Sequence, residues 1–285
     1  MRGFVVSCAL GAIALTGCGQ GSRSEENTAA TMMNVAAWPG CPAEWTTPPD
    51  PSWGFPADYG QAPSHFYDFE LNGVWFAVPL DGLKTILPSA VKPLEFIPGS
   101  GLGLVGASFW NYKDVEFIGP YKESIVSVLV EDPSMFQGYQ PLFVVEIAVD
   151  SEAAQWAGIQ IGLNKILGNT HCRNVRPKGI KCTSESDDTL IMKATIDNTD
   201  PQKTFPYALS PTMTLGVRNG LLVHTPVTYG PGLMSANTVP ANFKLGEHPL
   251  ARQLSAAGIG ATPSILSIWG EHLSSAVGPG YCTPL

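Results

Sequence analysis

The chain has 285 residues, 44% of them hydrophobic, with 16 basic against 24 acidic side chains and a net charge of −8. The basic residues form no stripe or run, which argues against a nucleic-acid partner, whose phosphates need a concentrated basic face. Its 25 prolines, 30 glycines and 9% aromatics suit strands joined by turns better than long helices.

Met1-Arg2 leads into the apolar run FVVSCALGAIAL, a positive start followed by a segment too short to span a bilayer. The run closes on Leu15-Thr16-Gly17-Cys18, which resembles a bacterial lipobox. Residues 1–17 are therefore expected to be a lipoprotein signal peptide, and Cys18 the lipidated first residue of the mature chain. An ordinary signal peptide cut nearby is the other reading, and both imply export. Acyl chains on Cys18 would anchor the protein to a membrane surface without spanning it. Gly19, in place of an aspartate after the cysteine, favours the outer membrane in the usual sorting pattern. Residues 18–37 read as a flexible polar tether. The remainder, 38–285, is long enough for one sizeable core and is expected to be a single domain.

Within that domain β-branched and aromatic segments bounded by proline or glycine dominate. Strands are expected over 73–80, 102–110, 124–130, 141–150, 189–197, 213–217 and 221–227. Short helices are expected at DGLKTIL, at SEAAQWAG and around HPLARQLSAAG (248–258). In the second of these Asp150 or Ser151 can cap the start and Gly158 can end it. Many strands with few helices predict an α+β fold, a mainly antiparallel β-barrel-like domain, closed or nearly so.

Cys41, Cys172, Cys182 and Cys282 follow Cys18, an even number that in an exported chain reads as two disulfides. Three pairings are available. Proximity in sequence favours Cys172–Cys182, which leaves Cys41–Cys282 to clasp the ends of the domain. No C-x-x-C pair occurs and His171 beside Cys172 has no partner at ligand spacing, so no metal site and no cofactor are expected. Gly101-Leu102-Gly103-Leu104-Val105-Gly106 matches the dinucleotide fingerprint in form. It runs into the strand-like Ala107-Ser108-Phe109-Trp110, where a helix N-terminus would be needed.

Lys165 is the only ionisable residue in GIQIGLNKILG (158–168). Its apolar setting is compatible with a stem lying along apolar surface with the head in water, or with an amine kept dry enough to be neutral and nucleophilic. Three segments in fixed order bear on the choice. These are ILPSAVKPLEFIPGSGLGLVGASFWNYKD (86–114), Gly119-Pro120-Tyr121-Lys122-Glu123-Ser124, and the stretch from Ala154 through Gly158 to Lys165. The set resembles the acetoacetate decarboxylase family over most of residues 66–275, and His248-Pro249-Leu250 and SILSIWGEH look like its C-terminal part. Tyr121 and Glu123 match a G-x-Y-x-E signature, Ala154 and Gly158 match A-x-x-x-G, and Lys165 falls on the Schiff-base lysine.

The resemblance implies a lyase that forms an imine with a carbonyl substrate, with Lys165 and Glu123 catalytic and Tyr121 facing the substrate. This chain departs from the family in four places. Phe69, in Tyr67-Asp68-Phe69-Glu70, stands where the family has its carboxylate-binding arginine. Ser108 replaces a glutamate, Asn164 replaces the proline before the lysine, and Ile166 replaces a second lysine. Loss of the arginine removes the donor suited to a carboxylate, so aldol-type chemistry on larger neutral carbonyl compounds stands beside β-keto acid decarboxylation. Phe69 and Met213 are expected to line the pocket. Burial by Ile161, Leu163, Ile166 and Leu167 is expected to dry the amine, with no carboxylate paired tightly to it. The alternative is a surface lipoprotein that holds a small apolar ligand in the same barrel without turnover. A homo-oligomer of the domain is left open.

Overall fold

The computed structural model describes residues 38–42, 64–131, 138–175, 179–197, 204–232 and 234–285. The segments expected to be a signal peptide and a tether, with Cys18, lie outside the described residues. In chain order the elements begin with β1 (Ser64–Pro79), α1 (Leu80–Lys84), β2 (Leu102–Val115), β3 (Tyr121–Leu129) and β4 (Gln140–Val149). Next come α2 (Glu152–Gln160), β5 (Lys165–Leu167), β6 (Asn169–Val175), β7 (Gly179–Ser186) and β8 (Thr189–Ile196). After these follow β9 (Thr204–Tyr207), β10 (Thr212–Arg218), β11 (Leu221–Tyr229), β12 (Met234–Asn237) and β13 (Asn242–Leu245). The chain finishes with α3 (Pro249–Ala256), β14 (Leu266–Val277) and β15 (Tyr281–Pro284). Every strand and helix expected from the sequence is present, several of them longer than expected. Leu102 already belongs to β2, so the glycine-rich stretch before Ala107 serves a strand and not a phosphate loop.

Eleven strands form one sheet in the order β15-β11-β10-β4-β3-β2-β1-β14-β12-β9, with β5 added beside β4. Neighbours are antiparallel except β4 with β10 and β4 with β5, which run parallel. The sheet curls until Val227–Tyr229 of β11 pair with Ser275–Val277 of β14. That junction is brief, and the curl falls short of a closed barrel. A second antiparallel sheet, β13-β8-β7-β6, packs against the first.

Strand alternation gives the large sheet two faces with different tasks. On β3, Ser124, Val126 and Val128 face the second sheet, where Cys182, Met192, Ala194 and Ile196 complete the main core. Tyr121, Glu123, Ile125 and Ser127 turn the other way, into the hollow of the curl. On β4 a bulge opposite Val126 and Ser127 resets the alternation, so that both Val144 and Ile147 reach the hollow. On β10 Thr212 and Thr214 face the hollow, while Met213, fully buried, points into the main core. The expectation that Met213 lines the pocket is thus corrected. A shift of one residue along a strand exchanges the faces.

Both disulfides are present, Cys41–Cys282 and Cys172–Cys182. The first ties the segment at Trp38–Cys41 to β15, and Cys282 N–H also donates to Pro39 O at 2.9 Å. The second crosses the β6–β7 hairpin at directly opposed residues. Since Cys41–Cys282 joins residues 241 apart in sequence, replacing both by serine should cost about 2–5 kcal/mol of unfolding free energy. A urea midpoint unchanged from the wild type would show that the clasp contributes nothing.

Candidate active site

Lys165 is placed by the helix before it. Ser151 caps α2 by accepting from Ala154 N–H at 3.3 Å. The helix runs two residues beyond Gly158, where the sequence suggested it would end, and turns back through Gly162 at φ +79°. The chain then enters β5 against β4, with Ile147 opposite Lys165. Gln155 Nε2 of α2 donates to Lys165 O at 3.0 Å, which fixes the strand to the helix. The lysine stem passes directly over Gly158, where an added Cβ would collide with Lys165 Cε and Cδ. Small size is the reason for glycine at that position.

Glu123 on β3 points into the same hollow. Lys165 Nζ donates to Glu123 Oε2 at 2.7 Å, and Tyr112 OH donates to Glu123 Oε1 at 3.0 Å. The Lys165 and Glu123 side chains are 5% and 4% exposed, so this is a buried ion pair. The Tyr121 ring centroid lies 5.5 Å from Nζ, near enough for a cation–π contribution. The expectation of an amine with no tight carboxylate partner is therefore corrected. β5 and β3 flank β4, and their inward residues converge on the same space.

Two further expectations about the pocket change. Phe69 is fully buried but is not part of the cavity wall. It stands behind Tyr112 and Trp110, with ring centroids 5.4 and 5.3 Å away. Irregular pairing between Phe66 and Phe69 on both sides of β1 displaces it from the row formed by Phe66, Leu71 and Trp75. Likewise Ile166 packs toward the main core and Leu167 is 45% exposed. Ile161 and Leu163 do line the cavity, as do Ala154, Ala157 and Gly158.

The cavity has a volume of about 180 Å³ and an aromatic wall that includes Phe66, Trp75, Trp110, Tyr112, Tyr121, Tyr207 and Tyr229. Among the described residues that line it, Lys165 and Glu123 are the charged ones. Burial, with the Glu123 charge beside it, pushes the Tyr112 phenol well above its ordinary range, and burial raises Tyr229 and Tyr207 too. All three stay protonated, able to donate hydrogen bonds, over the physiological range. Asn164 Nδ2 donates to Glu146 Oε2 at 3.1 Å on the outer side of the same strands. The sequence reading did not single out Tyr112 or Trp110. The signal was available in ASFWNYKD, where alternation puts Ser108, Trp110 and Tyr112 on one face.

No protein-family model and no curated protein sequence matches this chain. Solved structures do. A structure from studies of acetoacetate decarboxylase superposes with a TM-score of 0.60 at 17% identity, over 78% of this chain and 90% of that one. The acetoacetate decarboxylase of Legionella pneumophila gives 0.59 at 19% identity, over 78% and 87%. The enduracididine biosynthesis enzyme MppR complexed with pyruvate gives 0.55 at 16% identity, over 77% and 90%. The fold is that of acetoacetate decarboxylase. Within the acetoacetate decarboxylase fold this chain brings Tyr121, Glu123, Ala154, Gly158 and Lys165 to one cavity, and it keeps Phe69 and Met213 out of that cavity.

The pair has a stability signature. Glu123→Leu alone leaves a buried ammonium without its partner and should destabilise the fold by about 3–5 kcal/mol. Adding Lys165→Met should restore most of that loss, because two apolar side chains replace two desolvated charges. Equal losses in the single and double variants would exclude this account. The raised phenols set a limit on the alkaline side. Above about pH 10 the unfolded tyrosines lose protons that the buried ones keep. The folded state then binds more protons than the unfolded state, and stability falls as pH rises. Urea midpoints should be flat from pH 7 to 9 and decline above about pH 10, less steeply in Tyr112→Phe.

Proposed function

We propose that the protein is a Schiff-base enzyme acting on small neutral carbonyl compounds by lyase or aldol-type chemistry. The observation that carries this reading is the Lys165–Glu123 pair at the wall of a cavity rich in aromatic side chains, in a fold whose solved examples are enzymes. An ammonium has no lone pair, so attack on a carbonyl needs its proton elsewhere. Glu123 Oε2, 2.7 Å from Nζ, is the acceptor. A ligand that fills the cavity displaces water and penalises the charged pair, which favours the neutral amine with the neutral carboxyl.

The amine nitrogen then bonds to the carbonyl carbon. Glu123 returns its proton to the departing hydroxyl, water leaves, and a protonated imine remains beside a carboxylate. The site thus holds one positive and one negative charge before and after the reaction. That imine accepts the electron pair of a bond broken at the neighbouring carbon, and Glu123 can remove or return a proton there.

Substrate charge follows from the wall. With no arginine or histidine among the described lining residues, a substrate carboxylate would enter with no cation of its own. The volume, about 180 Å³, is comparable with a cavity of roughly 150 Å³ that takes up benzene. A compact aromatic or branched ketone or aldehyde fits it in size and polarity. The site of action we propose is outside the cytoplasm, with the domain tethered through Cys18. The two disulfides support an oxidising compartment.

The experiment is reductive trapping. Purified protein is mixed with 4-phenyl-2-butanone, with benzaldehyde or with acetoacetate, then treated with borohydride, and the adduct is located by peptide mass spectrometry. The neutral compounds should mark Lys165, acetoacetate should leave little or no mark, and Lys165→Ala should give none at this site. Release of carbon dioxide from acetoacetate at enzymatic rates would refute the neutral-substrate assignment. Absence of any Lys165 adduct, with apolar compounds still bound, would favour ligand carriage without turnover.

A further inference from the structure

We propose that Tyr112 is a positioning residue for the proton transfer between Lys165 and Glu123, a role that rests on the function proposed above. Its hydroxyl takes Oε1 at 3.0 Å while the amine takes Oε2 at 2.7 Å. Each carboxylate oxygen therefore has one donor, and the oxygen that must receive the lysine proton is the one turned toward the amine. The phenol cannot swing away. Phe66, Phe69, Trp110 and Tyr121 surround its ring at centroid distances of 5.0, 5.4, 5.8 and 4.6 Å. Phe69 acts here as a backing for Tyr112, so the apolar residue at that position supports the site without touching the cavity.

The Tyr112 hydrogen bond is strongest to an ionised acceptor. That bond and the one from the amine hold the Glu123 carboxylate in one orientation, with Oε2 facing Nζ. The other titratable groups that face Glu123 are Lys165 from β5, Tyr121 on β3 itself and Tyr229 from β11. Tyr112 OH donates to the carboxylate, while Tyr229 OH lies 3.4 Å from Thr212 Oγ1.

Tyr112→Phe removes one oxygen and keeps the ring packing, which separates this role from a structural one. The rate of Lys165 modification by benzaldehyde and cyanoborohydride is measured against benzaldehyde concentration in wild type, Tyr112→Phe and Glu123→Gln, with the adduct quantified at the Lys165 peptide. In Tyr112→Phe the limiting rate should fall about 10- to 100-fold with the half-saturating concentration little changed, the effect expected from losing a hydrogen bond to a charged group. In Glu123→Gln the limiting rate should fall at least as far, because no carboxylate remains to accept from the amine. Equal limiting rates in wild type and Tyr112→Phe would overturn the role of Tyr112 and leave the Schiff-base chemistry standing. A wild type with no adduct at any concentration would overturn both.

Discussion

A buried ammonium–carboxylate pair is the constraint around which this domain is arranged. Moving two charges out of water costs several kcal/mol for each. At 2.7 Å and an effective dielectric of ~20, their attraction offsets only about 6 kcal/mol. The pair is near balance at best, and two apolar side chains would hold the fold as well. Its retention needs surrounding groups that make it tolerable, and these are what the structure supplies: Tyr112 on the second oxygen, Tyr121 beneath the ammonium, and a glycine where the stem crosses α2. A marginal pair also suits chemistry, since a modest change in hydration on ligand binding can shift the proton from nitrogen to oxygen.

Two faces of one curled sheet keep the stable part of the molecule apart from this costly part. The convex face of β1, β2 and β3 packs Val74, Phe76, Val105, Phe109, Val126 and Val128 against the second sheet and α3. The concave face carries the cavity. The β6–β7 hairpin links the two from behind. Ser184 and Ser124 hydroxyls lie 2.6 Å apart next to Glu123, and Ser186 Oγ donates to Leu167 O at 2.7 Å just beyond Lys165. Both strands that present the ion pair are therefore held by polar contacts from the opposite side. A wide aromatic cavity can then persist in a sheet that is short of full closure.

On the proposed chemistry, charge balance within the site favours a neutral ligand. The pair is neutral in sum, and so is the combination of protonated imine and carboxylate that would follow attack. The aromatic wall offers phenol and indole donors but no further cation among the described residues. A neutral carbonyl leaves this balance undisturbed, whereas an anionic one brings an uncompensated charge into a desolvated space. Phe69 does not line the cavity, and its ring packs behind Tyr112 and Trp110.

The sequence by itself determined seven of the fifteen strands among the described residues, the three short helices, both disulfides and the ordered set Tyr121, Glu123, Ala154, Gly158 and Lys165. These rest on local chemistry: β-branched alternation, a serine cap, cysteine separation, and an ordered set of short motifs. Only the tertiary structure decided what those residues touch. Met213 was assigned to the wrong face because alternation gives two faces and does not say which one is concave. Phe69 was misplaced because the irregular pairing beside it is set by two neighbouring strands, not by its own segment. Glu123 was expected in the cavity with Lys165, but their tight pairing was not, because the two are 42 residues apart in sequence and the distance between them is set only once β5 adds to β4. Tyr112 was legible as part of an alternating run, yet its hydrogen bond depends on the curl that brings β2 and β3 around the lysine. Local preferences are written along the chain, whereas the distances that make a site are a property of the packed sheet.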